Sequence, residues 1–160
     1  GSYLRGGCWL EAGCAVAPGS ELNSAFLFAG SAVAHFTFVG DSLLGAGVTL
    51  EARAVIANHR NEAPETRIVL TLAGRRIETG ARKFGALVGD GVRVGANAVI
   101  APGAALPRGP VVPRLGLVDQ SVCVPAPAGP QGSVSARIQA AVSASAPATG
   151  RCRMIGVSSG

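Results

Sequence analysis

The chain has 160 residues, with 14 Lys and Arg against 9 Asp and Glu, giving a formal net charge of +5 and a sequence pI near 9.7. That length suits one domain. The basic residues are scattered and the aromatic set is only five Phe, one Tyr and one Trp, which excludes the stacking platforms and basic recognition helices of nucleic-acid binders, and the apolar runs fall far short of a membrane span.

The chain starts Gly1-Ser2, as a cloning scar or an internal fragment would, and no secretory leader with a basic start and an apolar centre follows. The cysteines are Cys8, Cys14, Cys123 and Cys152, with no C-x-x-C pair of the kind that binds zinc. All four read as reduced structural thiols of a cytoplasmic protein. The mild positive charge suits a phosphorylated ligand, and equally reflects a composition rich in Arg and Ala.

A repeat organises the chain from Tyr3 onward. Leu4, Leu10, Val16, Leu22, Leu27, Val33, Val39, Leu44, Leu50 and Ile56 recur in steps of 6, with 5 at two places. Val88, Val94, Ile100, Leu106, Val112 and Val118 recur in steps of 6 throughout. This period fits neither an amphipathic helix nor an alternating strand. It is the period of a parallel β-helix, in which each short strand ends at a tight corner. The aliphatic residue points inward, and the Gly or Ala that often follows it is expected to take the turn, where glycine adopts positive φ freely. Three hexapeptides close a triangular coil. The predicted columns are Leu10/Leu27/Leu44, Val16/Val33/Leu50 and Leu22/Val39/Ile56, each repeating at 17 residues, with strands roughly 4.8 Å apart and paired in parallel. Cys8 and Cys14 lie one hexapeptide apart, hence on adjacent faces.

The predicted solenoid spans residues 3–119, interrupted at 61–87. There 66–72 and 76–79 flank Ala73-Gly74-Arg75 and read as a hairpin. Such an excursion is either a cover for a binding face or a tolerated surface insertion. Pro102, Pro107, Pro110 and Pro113 belong at corners rather than in paired strands. Residues 120–160, rich in Ala, Ser, Pro and Gly, read as a low-complexity, disordered tail with a short helix possible near 135–142.

His35-Phe36-Thr37-Phe38-Val39-Gly40-Asp41-Ser42, then Leu44-Gly45-Ala46-Gly47, then Asn58 placed 23 residues after the histidine, resemble the hexapeptide-repeat acetyltransferase domain of bifunctional sugar-1-phosphate nucleotidyltransferase/acetyltransferases. The stretch from Ile77 to Asp90 resembles the archaeal-type members. The resemblance covers roughly residues 20–105, and its specific part is the histidine element with its later asparagine, since hexapeptides alone are widespread. It implies a left-handed parallel β-helix, an exception to the right-handed crossover rule, and a homotrimer with sites between subunits. It also implies acetyl transfer from acetyl-CoA to the amine of a hexosamine 1-phosphate.

By that match His35 would be the general base, a role that imidazole suits near neutral pH. Asn58 would orient substrate or base. Lys83 and Arg82 would meet phosphate, with Phe38 and Thr49 in the substrate site. Corner N–H groups, Ala96 among them, would receive the CoA arm and the oxyanion. Each residue also has a plain structural reading: His35 as a corner histidine, Asn58 as a corner residue in the left-handed region, Lys83 as a solvated charge. His59 reads as exposed.

The chain departs from the family pattern at Phe38, where the family has Tyr, at Thr49, where it has a second Asn, and in its Pro-rich late coils. A Gly-x-Gly-Thr-Arg nucleotidyltransferase loop is absent. The alternative is therefore a non-catalytic trimerisation or regulatory module of a nucleotidyltransferase. A zinc site of the γ-carbonic-anhydrase kind needs three histidines across an interface, and only His35 and His59 exist.

Overall fold

The computed structural model describes residues 1–63, 65 and 67–120. Cys123, Cys152, nearly all of the expected tail and the short helix near 135–142 lie outside the described residues, as do two positions of the excursion. The described residues form a parallel β-solenoid without helices.

Three sheets make its faces. The first stacks Tyr3–Leu4, Glu21–Asn23, Phe38–Gly40, Val55–Ile56, Val99–Ile100 and Leu117–Val118. The second stacks Trp9–Leu10, Phe26–Leu27, Leu43–Leu44, Ala86–Val88 and Ala104–Leu106. The third stacks Ala15–Val16, Ala32–Val33, Thr49–Leu50, Arg93–Val94 and Val111–Val112. The predicted columns are the observed registers: Leu10 pairs with Leu27 and Leu27 with Leu44, Val16 with Val33 and Val33 with Leu50, Leu22 with Val39 and Val39 with Ile56. The excursion leaves the register intact, since Leu44, Leu50 and Ile56 pair with Val88, Val94 and Ile100 across it. These inward residues form one continuous apolar core. Parallel pairing commits both neighbours of each strand to other coils, so no coil buries its core alone.

The corner glycines serve two separate purposes. Those directly after the aliphatic residue, such as Gly45, Gly89 and Gly95, do not have positive φ. They are required because the next coil leaves no room: a Cβ at Gly95 would lie 2.5 Å from Arg114 N. The positive φ falls two residues later, at Gly13, Gly30, Gly47, Gly91 and Gly109 on the corner between the second and third faces. This corrects the reason expected from sequence. The recurrent step of 5 is a shortened corner between the first and second faces, where Ser24 and Asp41 take the positive φ.

Buried hydroxyls stitch coils together. Ser42 Oγ donates to Gly40 O and accepts from Ala86 N–H; Ser20 and Ser31 do the same for Ala34 and Thr37, and for Gly45 and Val48. The hairpin is present as Val69–Leu72 paired with Arg75–Glu78. Its turn is Ala73-Gly74, both at positive φ, so Arg75 already lies in the second strand, one residue earlier than expected. Ile68 and Leu70 bury against the solenoid, and Val69 O occupies the space a Cβ on Gly103 would need. The coil resumes at Ala86. Pro102, Pro107, Pro110 and Pro113 all lie outside strands. The final edge is closed in part by Gln120, whose side-chain amide accepts from Ala105 N–H and donates to Ala105 O, mimicking one further strand residue.

Candidate functional site

The three corners differ in what they carry. The corner between the second and third faces holds glycine at every positive-φ position from Gly13 to Gly109. The corner between the third and first faces holds Gly19, then Phe36, Arg53, Asn97 and Leu115. A side chain in that conformation costs on the order of 1 kcal/mol, so this edge keeps side chains where glycine would be cheaper.

His35 sits on this third corner, one residue before Phe36. Its ring is exposed and 6.4 Å from that of Phe36, and the Arg53 guanidinium lies 6.0 Å from the Phe36 centroid. Beside it, a shallow groove of about 380 Å³ runs across the third face, lined by Ala15, Ala32, His35, Thr49 and Glu51 among others. The groove exists because the outward residues Ala15 and Ala32 are small. Thr49 therefore shares a site with His35.

Ala96 occupies the same corner in a later coil, but its N–H already donates to Glu51 Oε2 at 3.0 Å. Glu51 is in turn held by Arg114, 2.9 Å away. The Arg114 hydrogen bond, then the one from Ala96, keeps the Glu51 carboxyl below its ordinary range. The equivalent N–H one coil earlier, on Ala52, meets no acceptor among the described residues. Of these two corner donors, Ala52 is the one that can serve an incoming group.

Asn58 lies elsewhere. It belongs to the corner between the first and second faces, where it stacks on Asp41 because Val39 and Ile56 are paired. It does not have positive φ, so the reading of a left-handed corner asparagine does not hold. Its Nδ2 donates to Asp41 Oδ2. Its carbonyl accepts from Phe84 N–H at 2.9 Å, which brings exposed Lys83 to the same corner. Phe38 borders it too: a Cβ on Gly40 would meet both the Asn58 amide and the Phe38 ring. Arg82 is committed to Glu65 at 2.8 Å, whereas Lys83 makes no ion pair among the described residues. His59 is half-buried, not exposed as the sequence suggested.

The predicted residues thus form two groups. His35, Thr49 and Ala96 lie on or beside the third corner; Phe38, Asn58, Lys83 and Arg82 lie along the first face and its far corner. One strand of the first face separates the groups. His35 and Asp41 lie on either side of the strand Phe38–Gly40, and no hydrogen bond or ion pair joins the two groups among the described residues. Residues given no role from sequence are Asp41, Glu51, Arg114 and the Ala52 N–H. Asp41 could have been found, because it and Asn58 each fall two residues after stacked aliphatics.

No protein-family model matches the chain. Curated proteins do. A bifunctional sugar-1-phosphate nucleotidylyltransferase/acetyltransferase of Sulfurisphaera tokodaii is 35% identical over 102 residues, 64% of this chain and 25% of that protein. The bifunctional protein GlmU of Methanococcus vannielii is 26% identical over 121 residues, 76% of this chain and 28% of that one. Among solved structures, the N-acyltransferase AntD from Bacillus cereus, in complex with dTDP and 3-hydroxybutyryl-CoA, matches 74% of this chain and 69% of its own at 12% identity and a TM-score of 0.39, a likeness too distant to bear on function. The chain spans about a quarter of the length of the curated relatives it matches. Those relatives are bifunctional sugar-1-phosphate nucleotidyltransferase/acetyltransferases, the family whose motif His35 and Asn58 resemble.

Proposed function

We propose that the chain is an acetyl-CoA-dependent N-acetyltransferase acting on a hexosamine 1-phosphate, assembled as a homotrimer with its sites between subunits. The observation that carries this reading is exposed His35 lining the groove on the third face, with the uncommitted Ala52 N–H following Glu51, which lines the same groove. His35 takes the proton from the attacking amine. The Ala52 N–H stabilises the oxyanion that forms on the acetyl carbonyl. Acetyl-CoA, the cosubstrate, supplies the activated acetyl group. Asn58 and Lys83 meet the sugar and its phosphate. Because they lie on the opposite edge of the first face, they come from the neighbouring subunit. A ring of identical, head-to-tail interfaces brings one edge to the other. The free thiols Cys8 and Cys14 agree with a cytoplasmic location.

The test is thiol release from acetyl-CoA with glucosamine 1-phosphate, and galactosamine 1-phosphate in parallel. His35→Ala and Asn58→Ala should each abolish turnover, and subunits of the two variants mixed and reassembled should recover part of it. A folded trimer without turnover would refute the reading. It would favour instead a non-catalytic trimerisation module, to which Phe38 and Thr49 and the Glu51-occupied Ala96 N–H already lend support.

A further inference from the structure

We propose that Asp41 is a positioning residue for Asn58: it holds the Asn58 amide with its NH2 group turned inward, so that the amide oxygen faces the acceptor substrate. This rests on the acetyltransferase reading above.

An ionised carboxylate only accepts hydrogen bonds, whereas a primary amide donates from nitrogen and accepts at oxygen. With Asp41 Oδ2 against Asn58, only Nδ2 can face it, and the contact is made that way. The reversed amide would set oxygen against oxygen. Asn58 Oδ1 accepts from no group among the described residues, so it remains available to an N–H or O–H of a ligand. The chemistry that would recognise it is a donor-rich ligand such as a protonated amine or a sugar hydroxyl.

The backbone around Asp41 is hydrogen-bonded on both sides. Its N–H donates to Asn23 O at 2.8 Å, and its carbonyl accepts from Gly85 N–H at 2.9 Å. The next residue, Ser42, is 4% exposed and bonded on both sides. The amide rests over Gly40, where a Cβ would stand 2.6 Å from Asn58 Nδ2. Asp41 itself takes positive φ, a conformation that Asn tolerates at least as well. Replacing Asp41 by Asn therefore removes the acceptor-only constraint without disturbing the corner. This separates positioning from structure.

The experiment combines kinetics and side-chain NMR on the full chain. Asp41→Asn should raise KM for glucosamine 1-phosphate about tenfold, the worth of one ordinary hydrogen bond, with KM for acetyl-CoA and the urea midpoint unchanged. Asn58→Asp should be at least as damaging, since it sets two carboxylates against each other. The swap D41N/N58D re-forms the bond with the donor on residue 41 and leaves an acceptor oxygen at 58, and should recover KM to within about threefold. Unchanged KM in Asp41→Asn, or a swap no better than the worse single variant, overturns the proposal. The side-chain NH2 signal of 15N-labelled Asn58 reads the same point without turnover. It should move and exchange faster in Asp41→Ala, and an identical signal in the two proteins overturns the assignment. Absence of turnover in the wild type would remove the acetyltransferase reading instead.

Discussion

Ser42→Ala tests how the solenoid is held across its excursion. Ser42 Oγ donates to Gly40 O at 2.6 Å and accepts from Ala86 N–H at 3.0 Å. Ala86 opens the first strand after the hairpin, so this one hydroxyl ties the coil before the excursion to the coil after it. Both residues are shut off from water, Ser42 at 4% and Ala86 at 0% exposure. The variant loses a donated bond, about 0.5–1.5 kcal/mol, and leaves a buried N–H unpaired, about 1–3 kcal/mol. Steric change offsets little, since the stacked positions Ala25 and Ala86 are themselves alanine. The net loss is about 2.5 kcal/mol. At a urea slope of roughly 1–3 kcal/mol/M, the midpoint followed by circular dichroism should fall by about 1 M with its slope unchanged. A fall below about 0.2 M would refute the hydroxyl's role as a tie.

The two kinds of corner glycine should respond differently. Gly95→Ala drives a methyl into the backbone of the next coil and should cost about 1–3 kcal/mol or more by overpacking, whereas Gly47→Ala, with open space around it and φ of 66°, should cost about 1 kcal/mol of backbone strain only; chemical denaturation of both ranks them. Lys83→Ala should raise KM for glucosamine 1-phosphate about tenfold, while Arg82→Ala, already paired to Glu65, should change it less than about twofold. Arg114 and then Ala96 hold the Glu51 carboxyl below its ordinary 4.5, so folding favours its ionised form. That stabilisation is complete above the unfolded-state value and is lost as pH falls through the folded-state value. Arg114→Gln should therefore shrink the loss of stability in acid titrations below pH 4.5, by a small amount because the pair is exposed.

The solenoid was legible because its signal is one-dimensional. An inward aliphatic every sixth residue specifies the column, and the shared step of 5 specifies the register, which the pairings of Leu10, Val16 and Leu22 reproduce. The hairpin was legible from Ala73-Gly74 to within one residue. The site was legible as a set of residue types but not as a place. Periodicity assigns each residue a face, yet a catalytic role depends on which corner it shares. Asn58 follows Ile56 and His35 precedes Phe38, so the first face itself keeps them apart. The commitments of polar groups were hidden too. Nothing local in the sequence around Ala96 reveals that Glu51, a full coil and an excursion away, takes its N–H.

That separation also constrains the chemistry. If His35 alone sufficed, the groove on the third face would be the whole site, and losing Asn58 would merely alter a remote corner. The proposed shared site draws instead on the cost pattern along the edges. The chain keeps Phe36, Arg53 and Asn97 at positive φ on the edge that carries His35, while using glycine throughout on the edge between the second and third faces. It also opens its coils for an excursion immediately after Asn58, delivering Lys83 back to that asparagine through the Phe84 N–H. Both edges of the first face thus hold side chains at positive φ, whereas the remaining edge holds glycine there and carries the Asp90–Arg108 pair. In the proposed ring each edge would meet its complement on the next copy, so that both are used at once.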